Sequence, residues 1–313
     1  MHFLAETVLP VFGIVALGFF LARKRVFDQK VGDALVTFTY YVAIPAMLFK
    51  NVALNDLPLQ IPWNFLCAYY GPTLGLFAVG YFCTRYFFGW KVGESGVAGM
   101  SASYSNLMLL GFPLALTAFG TDASLPIFVL LSTQSIILFP LTLAIFDLGA
   151  ENQSAISERL IRVAGLVLNP IVLSLLLGLL FNGLAIKLQS PLVETLDILG
   201  DAGPGCALFA LGVLLGQFKF ERDSRAVGLL VGLKNLVHPF FVWLGCIYFE
   251  VEGIWANVAV LFAAMPTGVN AFIFSSQYRL RPVVVSKIIL ISTLFSSLLI
   301  GILLMSLASN ELL

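Results

Sequence analysis

The sequence Ala263-Ala264-Met265-Pro266-Thr267-Gly268-Val269-Asn270-Ala271 lies in the middle of an apolar segment that runs from about Gly253 to Gln277. That segment is long enough to cross a bilayer, which takes roughly 20 residues. Pro266 has no N–H to donate and clashes with the preceding helical turn, and Gly268 weakens the helix further. The sequence therefore predicts a helix that is broken at mid-depth. Hydrocarbon cannot solvate the released backbone groups, so they must be buried in protein or line a wet cavity.

A second apolar segment, from about Glu94 to Phe119, carries the same kind of interruption. Its polar part reads Ser103-Tyr104-Ser105-Asn106, and Gly111-Phe112-Pro113 follows soon after. Two broken hydrophobic segments in corresponding halves of a chain are typical of a secondary transporter whose binding site lies where they meet. We therefore expect the two interruptions to form one site.

The composition of the 313-residue chain is that of a polytopic membrane protein. Hydrophobic residues make up 59% and charged residues only 11%, with a mean hydropathy of +0.98, whereas a soluble domain carries about 25% charged residues. The apolar residues spread over the whole length, so the lipid bilayer is an expected partner. No basic block suited to nucleic acid is present apart from Arg23-Lys24-Arg25, and we expect neither a nucleic-acid partner nor a cofactor nor a metal.

Ten apolar segments can be counted, with approximate limits 5–22, 33–52, 61–83, 94–119, 124–147, 161–181, 194–217, 225–249, 253–277 and 283–308. The seventh is expected to be interrupted between Gly200 and Gly205. Fourteen of the 17 Lys and Arg residues lie in the loops after segments 1, 3, 5, 7 and 9. The positive-inside rule then places these loops in the cytoplasm and both termini outside. We expect a multi-pass protein of the inner (plasma) membrane.

The two halves of the chain resemble each other weakly. Prolines recur as the pairs Pro10/Pro170, Pro45/Pro204, Pro72/Pro239 and Pro126/Pro282, at offsets of 160, 159, 167 and 156 residues. Because each half holds five segments, the second half must enter the membrane from the opposite side. The prediction is an all-α fold of ten transmembrane helices. They form a five-plus-five inverted repeat over residues 1–150 and 151–313, joined by a connector at about 148–158.

The interrupted segments and two further motifs resemble the auxin efflux carrier family. The residues that carry this resemblance are Met265-Pro266-Thr267-Gly268-Val269-Asn270, the Ser-Asn and Gly-Phe-Pro of segment 4, Asn169-Pro170, and Pro204 with Leu208-Phe209-Ala210-Leu211-Gly212. The resemblance covers the full chain and fits a bacterial member, because the long central loop of the plant proteins is missing. The family is similar in fold to the sodium–bile acid symporters, but their acidic and glutamine ligands are not evident here at the crossover.

The resemblance also implies an architecture and a mechanism. Segments 1, 2, 6 and 7 would form a scaffold domain, and segments 3–5 and 8–10 a transport domain. The two broken helices, segments 4 and 9, would cross at the substrate site. Elevator-type alternating access and a possible homodimer are further implications.

Candidate site residues cluster at the two interruptions. Asn106 and Asn270 each offer a side-chain amide that can bond a substrate or cap freed backbone groups. Hydroxyls are weaker candidates, because in membrane helices they often bond back to their own carbonyls. The candidate substrate-binding residues are Asn106, Ser105, Gly111, Pro113, Pro266, Thr267, Gly268 and Asn270, with Ser103 and Ser275 as further hydroxyls.

The half-helices that follow the two breaks indicate the charge of the substrate. Each begins with N–H groups that have no partner in the helix and with the positive end of the helix dipole. Two such ends that converge at mid-depth suit a carboxylate without an arginine. The expected substrate is therefore a small organic anion, either auxin-like or a dicarboxylate. The alternative is that each break only lets helices pack closely.

Three ionisable residues are candidates for coupling or charge compensation. Lys234 lies within segment 8, where an ammonium is costly and often marks a transport pathway. It could hold a substrate charge or release a proton, or its long side chain could instead reach the membrane surface. His238 titrates in the useful range, although a lone buried histidine is more often structural. Asp201 lies in the expected interruption of segment 7, where capping the following helix is favoured over cation binding.

These observations favour a secondary transporter. An enzyme would need a catalytic dyad or metal ligands, yet the chain has two histidines and no HExxH motif. The alternative that stays open is a channel or ligand-sensing membrane protein on the same scaffold.

Overall fold

The computed structural model of the chain describes residues 2–54, 63–149, 170–218 and 225–308, and this part is all-helical. Within these ranges no β-strand occurs, only one isolated bridge. The predicted all-α class is confirmed. The helices are α1 (His2–Arg23), α2 (Gln29–Leu54), α3 (Trp63–Phe87), α4 (Val92–Ser103), α5 (Leu107–Phe119), α6 (Ser124–Gly149), α7 (Pro170–Gly183), α8 (Ser190–Gln217), α9 (Arg225–Tyr248), α10 (Gly253–Ala264), α11 (Val269–Gln277) and α12 (Pro282–Ala308).

Six helical stretches of the described residues are long and apolar enough to cross a membrane. They are Gln29–Leu54, Trp63–Phe87, Thr121–Phe146, Ser190–Gln217, Arg225–Tyr248 and Pro282–Leu304. Shorter apolar helices are Leu9–Arg23, Leu107–Phe119, Pro170–Gly183 and Gly253–Ala264. This pattern is typical of a multi-pass membrane protein. The expected connector, the start of segment 6 with Asn169, and the boundary between 1–150 and 151–313 lie outside the described residues.

The helices pack in two groups. The first helix group consists of α1, α2, α7 and α8, and the second helix group consists of α3–α6 and α9–α12. The groups meet where α1 contacts α12 and where α8 contacts the first turn of α5. Within the first group, α1 and α8 approach so closely that a Cβ on Gly212 would lie 2.1 Å from the Val15 carbonyl oxygen. Only glycine permits this backbone contact.

Three helices contain a wider π-turn that ends two residues before a proline. The turns are Thr39–Ala43 before Pro45, Leu107–Gly111 before Pro113 and Leu233–Val237 before Pro239. A proline ring clashes with the carbonyl four residues earlier, and the extra residue of a π-turn relieves that clash while the helix continues. The interruption expected at Gly111-Phe112-Pro113 is therefore a π-turn within α5, and the break itself lies earlier.

The interruption expected in segment 7 is wrong. Helix α8 is continuous from Ser190 to Gln217 with Pro204 inside it. Gly200 and Gly203 lie against Met47 and Ala43 of α2, and this packing holds the helix together through the Pro-Gly sequence. Asp201 is exposed in the middle of the helix and caps nothing, so its predicted capping role is also wrong.

We expect Gly212→Ala to destabilise the first helix group. Its new methyl group would overlap the backbone of α1, and overpacking of this kind costs about 1–3 kcal/mol. Thermal unfolding of the purified protein in detergent would show a lowered midpoint. The matched control is Gly228→Ala on α9, where a Cβ meets no atom within 4 Å. Equal midpoints for the two variants would contradict the close contact between α1 and α8.

Candidate functional site

Two helix interruptions meet in the second helix group. Helix α4 ends at Ser103 and α5 begins at Leu107, while α10 ends at Ala264 and α11 begins at Val269. The two short extended linkers run antiparallel and pair through an isolated bridge between Ser105 and Thr267. We call this place the crossing.

The crossing satisfies backbone groups that the broken helices release. The Asn106 N–H donates to the Pro266 carbonyl at 2.8 Å, and the Gly268 N–H donates to the Tyr104 carbonyl at 2.9 Å. Each linker therefore supplies one donor and one acceptor to the other. Peptide groups that hydrocarbon could not solvate are paired without water.

Side chains from neighbouring helices bond the outer edges of both linkers. The side-chain amide of Gln134 on α6 makes two bonds to Ser105. Its Oε1 accepts from the Ser105 N–H at 3.2 Å, and its Nε2 donates to the Ser105 carbonyl at 2.9 Å. On the other linker, the Thr267 N–H donates to Ser292 Oγ of α12 at 3.0 Å. The Thr267 hydroxyl donates to the Ser101 carbonyl at 2.7 Å. The backbone of the two extended linkers is thus largely bonded within the protein.

Gly268 allows the two linkers to approach. A Cβ at this position would lie 2.6 Å from Tyr104 Cδ1 and 3.1 Å from the Ser105 carbonyl oxygen. Its backbone is extended, with φ −73° and ψ 146°, so the requirement is space and not an unusual conformation.

A cavity of about 50 Å³ lies beside the crossing. It is large enough for a few water molecules. Asn106 lines this cavity and is only 4% exposed, and its Nδ2 has no hydrogen-bond partner. An unpaired buried donor is costly, commonly by about 1–3 kcal/mol. Such a donor beside a cavity marks a place where a ligand acceptor would be stabilised.

The first turns of two helices open onto the same cavity. Asn106 to Leu109 at the start of α5 and Gly268 to Asn270 at the start of α11 contribute to its lining. The N-terminal turns of helices present N–H groups and partial positive charge. The cavity is therefore electropositive even though no Lys or Arg lines it.

Asn270 is positioned by an aromatic residue of the opposite linker. Its Nδ2 donates to the Tyr104 hydroxyl at 2.8 Å, and that hydroxyl also lies 3.0 Å from Ser135 Oγ. The Tyr104 ring stacks on Phe139 with centroids 5.4 Å apart. The amide of Asn270 is thus held at the edge of the cavity by a fixed partner.

A second cavity of about 130 Å³ follows the first along α11. Both cavities are lined by Val36, Val269 and Ile273. The second one ends at Gln29 and Gln217, which lie at the start of α2 and the end of α8. The two cavities form a line from the crossing to one end of the helix bundle, between the two helix groups.

Lys234 is fully buried in the π-turn of α9. Its Nζ donates to the Ala263 carbonyl at 2.7 Å and lies 3.1 Å from His238 Nδ1. The side chain points at the end of α10, so the alternative in which it reaches the membrane surface is wrong. The last carbonyls of α10 carry partial negative charge, which favours an ammonium there. No carboxylate among the described residues lies within salt-bridge distance of its Nζ.

His238 links Lys234 to α3. Its Nε2 lies 2.9 Å from Thr73 Oγ1, and the Thr73 hydroxyl donates to the Tyr69 carbonyl at 2.6 Å. Because that hydroxyl proton is already used, Nε2 donates its proton to Thr73 Oγ1.

The family of the protein follows from comparison with known sequences. The chain matches the membrane transport protein family over residues 3–304. It belongs to the auxin efflux carrier family. The family and the names of its relatives indicate a multi-pass membrane transporter and not an enzyme.

Three relatives match over nearly the full length. The chain is 30% identical to the "Putative malonate transporter" of Rhizobium meliloti (strain 1021), over 92% of this chain and 91% of that protein. It is 22% identical to "Auxin efflux carrier component 8" of Arabidopsis thaliana, with 91% and 92% covered. An "Uncharacterized transporter" of Methanothermobacter thermautotrophicus is 27% identical, with 93% and 94% covered.

The structure brings some of the predicted site residues of this transporter to the cavity and places others elsewhere. Ser105, Asn106, Gly268 and Asn270 line the cavity. Ser103 bonds back to its own helix, at the Gly99 carbonyl, as membrane hydroxyls often do. The predicted residues outside the lining are Gly111, Pro113, Pro266, Thr267, Ser275, Lys234, His238 and Asp201.

Sequence reasoning missed two amides that support the crossing. Gln134 bonds Ser105 at the crossing, whereas the sequence alone had given no sign of a glutamine there. Asn235, beside Lys234, accepts from the Ser292 hydroxyl at 2.7 Å and also bonds Ser296, whose own hydroxyl donates to the Ala264 carbonyl at 3.0 Å. A buried amide in the middle of a long apolar helix was the available signal for both residues.

We expect Gln134→Leu to destabilise the crossing. It removes both bonds to Ser105 and leaves the buried Ser105 N–H unpaired at a cost of about 1–3 kcal/mol, while the Ser105 carbonyl keeps its bond from the Leu107 N–H. The midpoint of thermal unfolding should fall clearly. Ser132→Ala on the same helix is the control, because the Ser132 hydroxyl only donates to the Phe128 carbonyl of its own helix. If both variants unfold at the same temperature, Gln134 does not support the crossing.

Proposed function

We propose that this protein is a secondary transporter of a small organic anion, and that a carboxylate of the substrate binds in the cavity beside the crossing. The observation that carries the proposal is the unpaired Nδ2 of buried Asn106 between two helix N-terminal turns. A carboxylate oxygen would accept from this amide, and its negative charge would be stabilised by both helix ends.

The relatives support a carboxylate as the substrate. One is named for malonate and another for auxin, and both compounds are carboxylates. The cavity of about 50 Å³ has room for a few water molecules, which a carboxylate group would displace. The adjoining cavity between the helix groups offers space for the rest of a larger substrate.

The packing supports an elevator mechanism. In this proposal the ten predicted spans form the inverted repeat over 1–150 and 151–313, with α4–α5 and α10–α11 as its two broken helices. The first helix group is the scaffold, and the second helix group carries the substrate. The crossing bonds tie both broken helices into one unit, so they would move together past the scaffold.

The proposed orientation follows from the distribution of Lys and Arg. Both termini lie outside, in the inner (plasma) membrane, and the line of cavities that ends at Gln29 and Gln217 faces the cytoplasm. A homodimer is the proposed assembly, by resemblance to the family.

We propose that Lys234 contributes to charge coupling from a distance. It does not line the cavity, but it donates to the Ala263 carbonyl at the C-terminal end of α10. The helix that follows the same break, α11, opens onto the cavity. Its position and charge would therefore respond to substrate binding through the backbone of the break.

Flux measurements in proteoliposomes test the proposed function. A carrier gives saturable uptake of an organic acid and counterflow, whereas a channel gives conductance that does not saturate. A thermal-shift screen of the purified protein against organic acids, with and without sodium, would identify the substrate and the coupling ion. Absence of any saturable carboxylate flux, with protein correctly inserted, would contradict the proposal.

Substitution of Asn106 tests the binding site. We expect Asn106→Ala to weaken carboxylate transport, because the only unpaired amide at the cavity among the described residues is lost. Asn106→Asp should weaken it further through charge repulsion, and Asn270→Ala should also impair uptake. The control is Asn182→Ala, far from the crossing, where Nδ2 donates to the Ala53 carbonyl. Unchanged flux in all three site variants would remove these asparagines from the site.

Substitution of Lys234 tests charge coupling. We expect Lys234→Ala to change the substrate affinity or the pH dependence of uptake, since the buried amine that donates to the Ala263 carbonyl beside the break is lost. Uptake by wild type and variant is compared across a pH series. Superimposable pH profiles with equal affinity would leave Lys234 with a structural role alone.

A further inference from the structure

We propose that an anionic phospholipid binds in an apolar groove between α1, α8 and α12, with an acyl chain in the groove and its headgroup at the basic end of α1. This inference rests on the groove and its charges and not on the proposed transport function.

The groove has a volume of about 280 Å³ and is almost entirely apolar. Aromatic rings of α1, including Phe12 and Phe20, form one wall, and Leu290 and Leu294 of α12 form the other. Phe20 is 61% exposed and Leu294 is 64% exposed, so the groove opens to the surroundings of the helices. For membrane-spanning helices these surroundings are lipid.

The polar atoms of the groove exclude a polar occupant. Only two of its residues, Thr293 and Ser297, carry a polar side-chain atom. The Thr293 hydroxyl donates to the Ile289 carbonyl at 2.7 Å, and the Ser297 hydroxyl donates to the Leu294 carbonyl at 2.8 Å. Both hydroxyl protons are thus used within α12, and a hydrocarbon chain is the chemistry that fits the remaining surface.

One end of the groove is basic. The Arg23 guanidinium carbon lies 5.4 Å from the centroid of the Phe19 ring, which lines the groove, so the charge stands at the groove end. Lys24 directly follows α1 and donates its backbone N–H to the Phe20 carbonyl at 2.9 Å, so it continues the helical turn of Phe20 at the groove end. Lys287 lies three residues before Leu290 on α12, and the positive-inside rule places it on the same side of the membrane as Arg23.

The apolar groove leads into a basic end, just as the acyl chain of an anionic phospholipid leads into its negatively charged headgroup. Basic residues at the end of a membrane helix attract anionic lipids in general, through a long-range field. A groove of defined shape that continues into those charges adds a fixed place for one chain. Since α1 and α8 belong to the first helix group and α12 to the second, the lipid would contact both groups.

Native mass spectrometry of the purified full-length protein tests this site. Wild type is mixed with phosphatidylglycerol or with phosphatidylcholine of the same acyl chains. We expect preferential retention of phosphatidylglycerol. Ala16→Trp, which fills the groove from an exposed position, and Lys24→Gln, which removes a charge, should each weaken that retention several-fold. Lys30→Gln, exposed on α2 and outside the groove, is the matched control.

Three results would overturn the proposal. Equal retention of the two lipids by wild type would show no headgroup preference. Undiminished retention by Ala16→Trp, with weakened retention by Lys24→Gln, would show attraction to surface charge without use of the groove. A loss in Lys30→Gln equal to that in Lys24→Gln would show that any basic residue serves. Thermal unfolding of each variant confirms that it is folded.

Discussion

The constraint on which this structure depends is that a peptide group inside a membrane protein must be hydrogen-bonded by protein or by trapped water. Pro266 and Gly268 break one helix and release such groups, and the Tyr104 to Asn106 linker releases a matching set. Neither linker could stay extended alone, because its donors and acceptors would face hydrocarbon. The two reciprocal backbone bonds at the crossing resolve this for both linkers at once. The position of the site is therefore a consequence of the breaks and not an independent feature.

The charges around the crossing are separated by the directions of the half-helices. Two N-terminal turns open onto the cavity, whereas the C-terminal turn of α10 faces Lys234 on the other side of the break. The C-terminal turn of α10 thus has a basic neighbour, and the two N-terminal turns face a cavity in which an anion would be favoured. The protein obtains an electropositive cavity without placing a basic side chain in it. An arginine there would hold a permanent charge inside the membrane whenever the cavity was empty.

The sequence was most informative where the signal is local. Pro266, Gly268 and the Ser105-Asn106 pair lie in the linkers between helices of the described chain, and the apolar segments indicated the all-helical class. Prediction was less successful where neighbouring helices decide the outcome. Pro204 reads as a helix breaker, yet contacts of Gly200 and Gly203 with α2 keep α8 continuous. Gln134 is distant in sequence from Ser105, and only the fold brings the two together. The direction of the Lys234 side chain likewise depends on where α10 ends.

The wall of the cavity that belongs to the first helix group has a simple composition. Val36, Tyr40 and Ile171 form it, and of these only Tyr40 has a polar side-chain atom. A cargo held by Asn106 and the helix ends would face a surface with almost nothing to bond. If the two groups slide past each other as proposed, few hydrogen bonds at this wall would have to be exchanged, and the resistance to sliding would come from the fit of side-chain shapes. In this proposal the groups that would bind the cargo and the apolar wall that would move past it lie on opposite sides of the same cavity.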